Sequence, residues 1–224
     1  MLVGLVAGLF AALLLTVTAE PSVAEAIKLE ASRAAPGAGN AADDNEIVSR
    51  DVQKGVGLFG AYALAGSGFG LLFAAAFVAF KRPMVAGALL GGALTVAPWL
   101  KYPPNPPAVG DPATLTKRQL LYIAVIAIAL VVGVLATLVS RRLRRVGWDD
   151  PRRIAAVVAL VAVPMLLAFG LLPPAPDAVN APATLIWRFR VASLGGNLAL
   201  WTLLTLGFAV LARDREVAVS TVGA

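Results

Sequence analysis

Six stretches of this chain contain no Asp, Glu, Lys or Arg: residues 2–19, 56–80, 84–100, 119–140, 154–172 and 191–212. At 1.5 Å of rise per residue, helices of these lengths match a hydrocarbon core about 30 Å thick. In lipid each backbone N–H and C=O must find its partner within the protein, so such runs fold as helices. The pattern predicts an all-α, polytopic membrane bundle of about six transmembrane helices, organised as one membrane domain over residues 1–224. The first run is read as a retained span, although Val17 and Ala19 hold the −3 and −1 spacing of a signal-peptidase site.

The polar stretches between the runs differ in kind. Residues 20–54 form the one long hydrophilic segment. Its apolar positions Val23, Ala26, Ile27 and Leu29 suit a short amphipathic helix at the membrane surface. Residues 101–118 and 173–190 are proline-rich loops. In the first, five prolines fall between Pro103 and Pro112. Proline fixes φ and has no N–H, so residues 101–112 are read as a stiff, extended connector and neither helix nor central strand.

Composition narrows the chemistry. The chain is 59% hydrophobic and 14% charged, and contains no Cys and no His. That excludes disulfides, thiol catalysis and Ser-His-Asp arrangements, and no nucleophile–base pair or nucleotide-binding motif is visible. The expectation is therefore a protein that is not an enzyme and binds no cofactor. The net charge of +6 does not indicate nucleic acid, because the basic residues cluster at the ends of apolar runs, where they set topology. With six spans, one side holds ten basic and four acidic residues, the other nine of each. The dense clusters Lys81-Arg82, Arg141-Arg142-Leu143-Arg144-Arg145 and Arg152-Arg153 mark the first side as cytoplasmic, together with both termini. The hydrophilic segment and both proline-rich loops then face outward, from a multi-pass protein of the cell membrane whose first partner is the lipid bilayer.

The candidate chemistry lies at that outer edge. Glu20, Glu46, Asn105 and Asp111 offer hard oxygen ligands for a passing divalent cation. Arg50, Lys101, Tyr102, Trp187, Arg188 and Arg190 suit loop anchoring or gating, the arginines at 188 and 190 by pairing with acids on the same face. Asn197, polar within the last span, suits bridging between helices or coordination within a pore. Glycine-dense stretches, among them Gly87-x-x-x-Gly91, read as close-packing helix faces.

Lys101-Tyr102-Pro103-Pro104-Asn105-Pro106-Pro107-Ala108-Val109-Gly110-Asp111-Pro112 resembles the signature loop of the CbtA family, the predicted cobalt transporter subunit. Glu46-x-Val48-Ser49-Arg50-x-x-Gln53-Lys54-Gly55-Val56-Gly57-Leu58-Phe59 and Trp187-Arg188-Phe189-Arg190-x-Ala192-Ser193-Leu194-Gly195 match as well. The resemblance covers nearly the whole chain. It implies a membrane component of cobalt uptake linked to cobalamin synthesis, with Co2+ as cargo and a small one-span, histidine-bearing CbtB-like subunit as partner. Family members tend to carry histidines after the first span; residues 31–45 here carry none, so either a partner supplies the imidazole or this member handles another ligand. The alternative is a non-transporting scaffold or accessory subunit whose stiff outer loops dock a partner.

Overall fold

The computed structural model describes residues 1–33, 49, 52–107, 109–176 and 179–222. Its secondary structure is helical, with no strand among the described residues. The helices are α1 Leu2–Thr18, α2 Glu20–Arg33, α3 Leu58–Phe80, α4 Pro83–Gly91, α5 Ala97–Lys101, α6 Leu115–Arg145, α7 Asp150–Leu171 and α8 Ala183–Val222. Five helical segments are long and apolar enough to cross a membrane: Gln53–Phe80, Pro83–Lys101, Pro112–Arg145, Asp150–Leu171 and Ala183–Arg213. A sixth is added if α1 and α2, bent by 52°, count as one span. The expected class, an all-α membrane bundle, is what the chain adopts, with five to six helices long and apolar enough to cross where about six were expected.

Each break has a local cause. The α1–α2 bend lies at Ala19, just before Pro21, which cannot donate to the preceding turn and whose ring crowds it. Lys81 ends α3 in the left-handed region (φ 58°), donating its N–H to the Phe77 carbonyl. Pro83 then opens α4, where a missing N–H is harmless. Between α4 and α5 the helix widens into a π turn, Gly92–Val96. Pro98 follows it and removes the donor that the Leu94 carbonyl would have used, a common origin for such irregularities.

The chain divides into two compact units. One comprises Met1–Pro83, Pro104–Gly110 and Val179–Ala224, the other Met84–Pro103 and Asp111–Ala178. In the first unit α1 packs on α3 and α8. Its buried face is Gly4, Ala7, Gly8, Ala11, Ala12 and Leu15, and Gly4-x-x-x-Gly8 meets Gly66-x-x-x-Gly70 of α3. A Cβ added to Gly66 would stand 2.7 Å from the Gly8 Cα, and one on Gly70 2.9 Å from the Gly4 Cα. Only bare backbone permits this approach, the way small residues drive helix association in lipid. Phe73 stacks on Phe208 (centroids 4.8 Å apart) and Phe69 on Trp201 (5.2 Å), fastening α3 to α8.

In the second unit α6 turns Val125, Ala129, Val132 and Ala136 inward. These positions step by four, three and four, one stripe of a helix. The widened turn of residues 92–96 packs on α6, and a Cβ on Gly133 would meet only the movable end of Leu89, 2.7 Å away. α7 lies against α6, yet none of its residues, all of them described, is buried.

Candidate functional site

The polar groups that organise the membrane edges are basic side chains, and their partners are mostly backbone carbonyls. In the second unit, Lys101 closes the short helix α5. Its Nζ donates to the carbonyls of Phe169 (2.6 Å) and Leu172 (2.9 Å) at the C-terminal end of α7. The last carbonyls of a helix lack intrahelical donors and carry the negative end of its dipole, so an ammonium is favoured there. This end is especially short of donors: the residue four beyond Phe169 is Pro173 and the one four beyond Gly170 is Pro174, and neither has an N–H. Tyr102 adds a third tie, its hydroxyl donating to the Pro173 carbonyl at 2.7 Å. The Lys101 ammonium stands 5.6 Å from the centre of the Tyr102 ring, within cation–π reach. Burial raises the Tyr102 phenol above its ordinary pKa, because the phenolate would lose hydration there.

In the first unit, Arg190 holds residues of the proline-rich loop. Its Nη2 donates to Asn105 Oδ1 at 2.8 Å and its Nε to the Pro104 carbonyl at 3.3 Å. Proline supplies acceptors and no donors, and Asn105 is the single side-chain amide in the loop, so the planar guanidinium fork suits both. Pro106 of the same stretch is fully buried. Arg188, two residues earlier on α8, pairs through Nη2 with Glu25 Oε2 of α2 at 2.6 Å, with both side chains about half exposed. Arg33, at the end of α2, donates to the Asn180 carbonyl.

The remaining candidates are placed as follows. Glu20 is the first residue of α2. Asp111 caps the 3-10 turn Pro112–Thr114, its Oδ1 accepting the Ala113 N–H at 2.8 Å. Trp187 is exposed beside Arg188. Asn197 donates to the Ser193 carbonyl of its own helix at 2.8 Å, a back-bond along α8. Glu46 and Arg50 lie outside the described residues. Among the described residues no group of three or more His, Cys, Asp and Glu side chains could hold a metal ion.

A groove of about 550 Å³ opens in the first unit where the α1–α2 bend faces α8. Leu14, Thr18 and Ser22 line one wall, and Trp187, Arg188 and Gly195 the other. Its walls are mostly apolar, with the Thr18 and Ser22 hydroxyls and the Arg188 guanidinium as polar groups, and two hydroxyls make no oxygen cage for a cation.

Sequence reasoning foresaw the pairing of Arg188 with Glu25 and missed the carbonyl acceptors of Lys101 and Tyr102 and the bonds from Arg190 to Pro104 and Asn105. One signal was available: prolines placed four residues after Phe169 and Gly170 announce carbonyls that need an outside donor.

A family model described as probable cobalt transporter subunit (CbtA) matches residues 1–213. No curated protein and no solved structure matches the chain.

Proposed function

This chain belongs to the CbtA family, and from that premise we propose that it is the membrane-embedded part of a cobalt uptake system that feeds cobalamin synthesis. The observation that carries this reading is the family match over residues 1–213, in a chain with five to six membrane-capable helices. The protein works in the plasma membrane with both termini inside, which places the Lys101–Pro112 loop on the outer face. It carries no activity as an enzyme. A chain without His and Cys needs softer ligands from elsewhere to select Co2+ over Mg2+ and Ca2+. A small one-span subunit with a histidine cluster meets that need. Glu20, Glu46 and Asp111 attract the hydrated cation to the outer face, while Asn105 serves Arg190 as a clamp acceptor. Arg190 holds the proline-rich loop in the shape that receives the partner, while Lys101 holds the end of α7.

The test is accumulation of labelled Co2+ in cells deficient in cobalt uptake, with this chain, its small partner, or both. Both together should accumulate cobalt well above either alone. No rise in any arm, with the protein shown to be in the membrane, removes the reading.

A second reading is favoured by one observation: among the described residues, no cluster of three metal-ligating side chains exists. On this reading the chain is a scaffold and the partner carries the ion. The partner alone would then transport cobalt, and this chain would only raise the partner's abundance in the membrane.

A further inference from the structure

The turn between α6 and α7 combines features that a water-facing loop does not need. Helix α6 has 31 residues, Leu115–Arg145, about 46 Å at 1.5 Å per residue, as long as a bilayer is thick with its headgroups included. Its uncharged part, residues 119–140, accounts for about 33 Å of that and fills the hydrocarbon. Arg141, Arg142, Arg144 and Arg145 therefore begin within about 8 Å of the hydrocarbon edge, at the depth of the lipid phosphates.

The helix then stops abruptly. Gly147 takes φ 87°, its N–H donates to the Arg144 carbonyl at 3.2 Å, and the Trp148 N–H donates to the Leu143 carbonyl at 3.1 Å. This pair of bonds is a Schellman closure. It leaves Val146 69% and Trp148 43% exposed beside the arginines. The two acids of the turn face arginines of α7: Asp149 Oδ1 lies 3.6 Å from Arg152 Nε, and Asp150 Oδ1 2.8 Å from Arg153 Nη2. Arg142, Arg144 and Arg145 thus keep a net positive surface. A helix C-terminus favours a cation, but that does not account for a cluster of four next to an exposed indole and isopropyl group. A headgroup layer accommodates all of it. Guanidinium forks bind phosphate bidentately, and tryptophan settles at the interface.

We propose that the α6–α7 turn is a binding surface for anionic phospholipid, with Arg142, Arg144 and Arg145 on the phosphates and Trp148 at the glycerol level. The proposal rests on the second unit alone and is independent of the cargo.

The full-length protein is reconstituted in phosphatidylcholine vesicles that contain, at the same minor fraction, either brominated phosphatidylglycerol or brominated phosphatidylcholine. The difference in tryptophan quenching between the natural protein and W148F isolates Trp148. Brominated phosphatidylglycerol should quench that component several-fold more strongly than brominated phosphatidylcholine, and less so at high salt. R144Q/R145Q, which keeps Arg141 and Arg142 as topology signals, should bring the two lipids close to equal quenching, and R144K/R145K should retain most of the preference. Phosphatidylglycerol retained through detergent exchange, counted by native mass spectrometry, gives the same comparison without W148F. Equal quenching by the two lipids, or an undiminished preference in a helical R144Q/R145Q protein, overturns the proposal. Relief of quenching by soluble glycerophosphate assigns the site to free phosphate anions and also overturns it.

Discussion

The two units solve one problem, holding helices together where water gives no hydrophobic drive, in opposite ways. In the first, α1 and α3 meet through Gly4, Gly8, Gly66 and Gly70, with backbone on backbone. In the second, α6 packs through Val125, Ala129, Val132 and Ala136, and its Gly133 faces the end of a leucine. The first contact has no give; the second can repack. The difference extends to the polar ties. α7 has no buried residue, so its placement leans on Lys101 and Tyr102, which grip its last carbonyls. α8 is fixed by aromatic stacking and by α1 already, and Arg190 holds the loop. Where packing is dense a polar clamp positions a loop; where packing is thin it positions a helix.

The largest effect should therefore come from the glycine contact. Gly66→Leu should cost about 3 kcal/mol and lower the yield of folded protein sharply. Gly68→Leu, on the same helix but with nothing near its would-be Cβ, should stay within about 0.5 kcal/mol. Thermal melts of the two proteins in detergent make the comparison, and equal losses would show that α1 and α3 do not meet through this face.

Next come the clamps. Lys101→Met leaves the Phe169 and Leu172 carbonyls without their donor, at about 2 kcal/mol. Asn105→Ala leaves Arg190 its bond to the Pro104 carbonyl, and about 1 kcal/mol is expected. Hydrogen exchange should rise at the C-terminal turn of α7 in the first variant and remain confined to the loop in the second. A larger loss from Asn105→Ala than from Lys101→Met would reverse the assignment of which clamp holds a helix.

The smallest effect concerns Tyr102. Burial raises its pKa from 10.0, so the neutral phenol, the form that donates to Pro173, is the one the fold favours. Its contribution is fully present below pH 10 and is lost as pH climbs through the raised folded value. Above pH 10 the melting temperature of the natural protein should fall more steeply than that of Tyr102→Phe, by less than about 1 kcal/mol in stability terms. Parallel curves across that range would remove Tyr102 from the clamp.

The helical class was legible because uncharged runs of bilayer length leave the backbone no alternative in lipid. The glycine faces were legible as a packing signal, though not as the specific meeting of Gly4 and Gly8 with Gly66 and Gly70, since spacing marks a face and not its partner. The Glu25–Arg188 pair was legible because charges of opposite sign advertise themselves. The acceptors at Phe169, Leu172, Pro173 and Pro104 were not. Every residue carries a carbonyl, so nothing in a side-chain alphabet marks the one left unpaired, unless a proline four places on is taken as the mark. Asn197 misled for a related reason: an amide within a span suggests a neighbouring helix, while the Ser193 carbonyl one turn back was nearer.

The widened turn at Gly92–Val96 sets the aim of Lys101. A π turn carries one residue more than an α turn, so everything after it is rotated relative to what precedes it. Excising a single residue there would swing the Lys101 ammonium about 100° around the helix axis, away from the carbonyls of α7. The clamp therefore depends on chain length at that point as much as on the lysine itself. Among related chains, a one-residue gap in this stretch would matter more to it than an exchange of lysine for arginine.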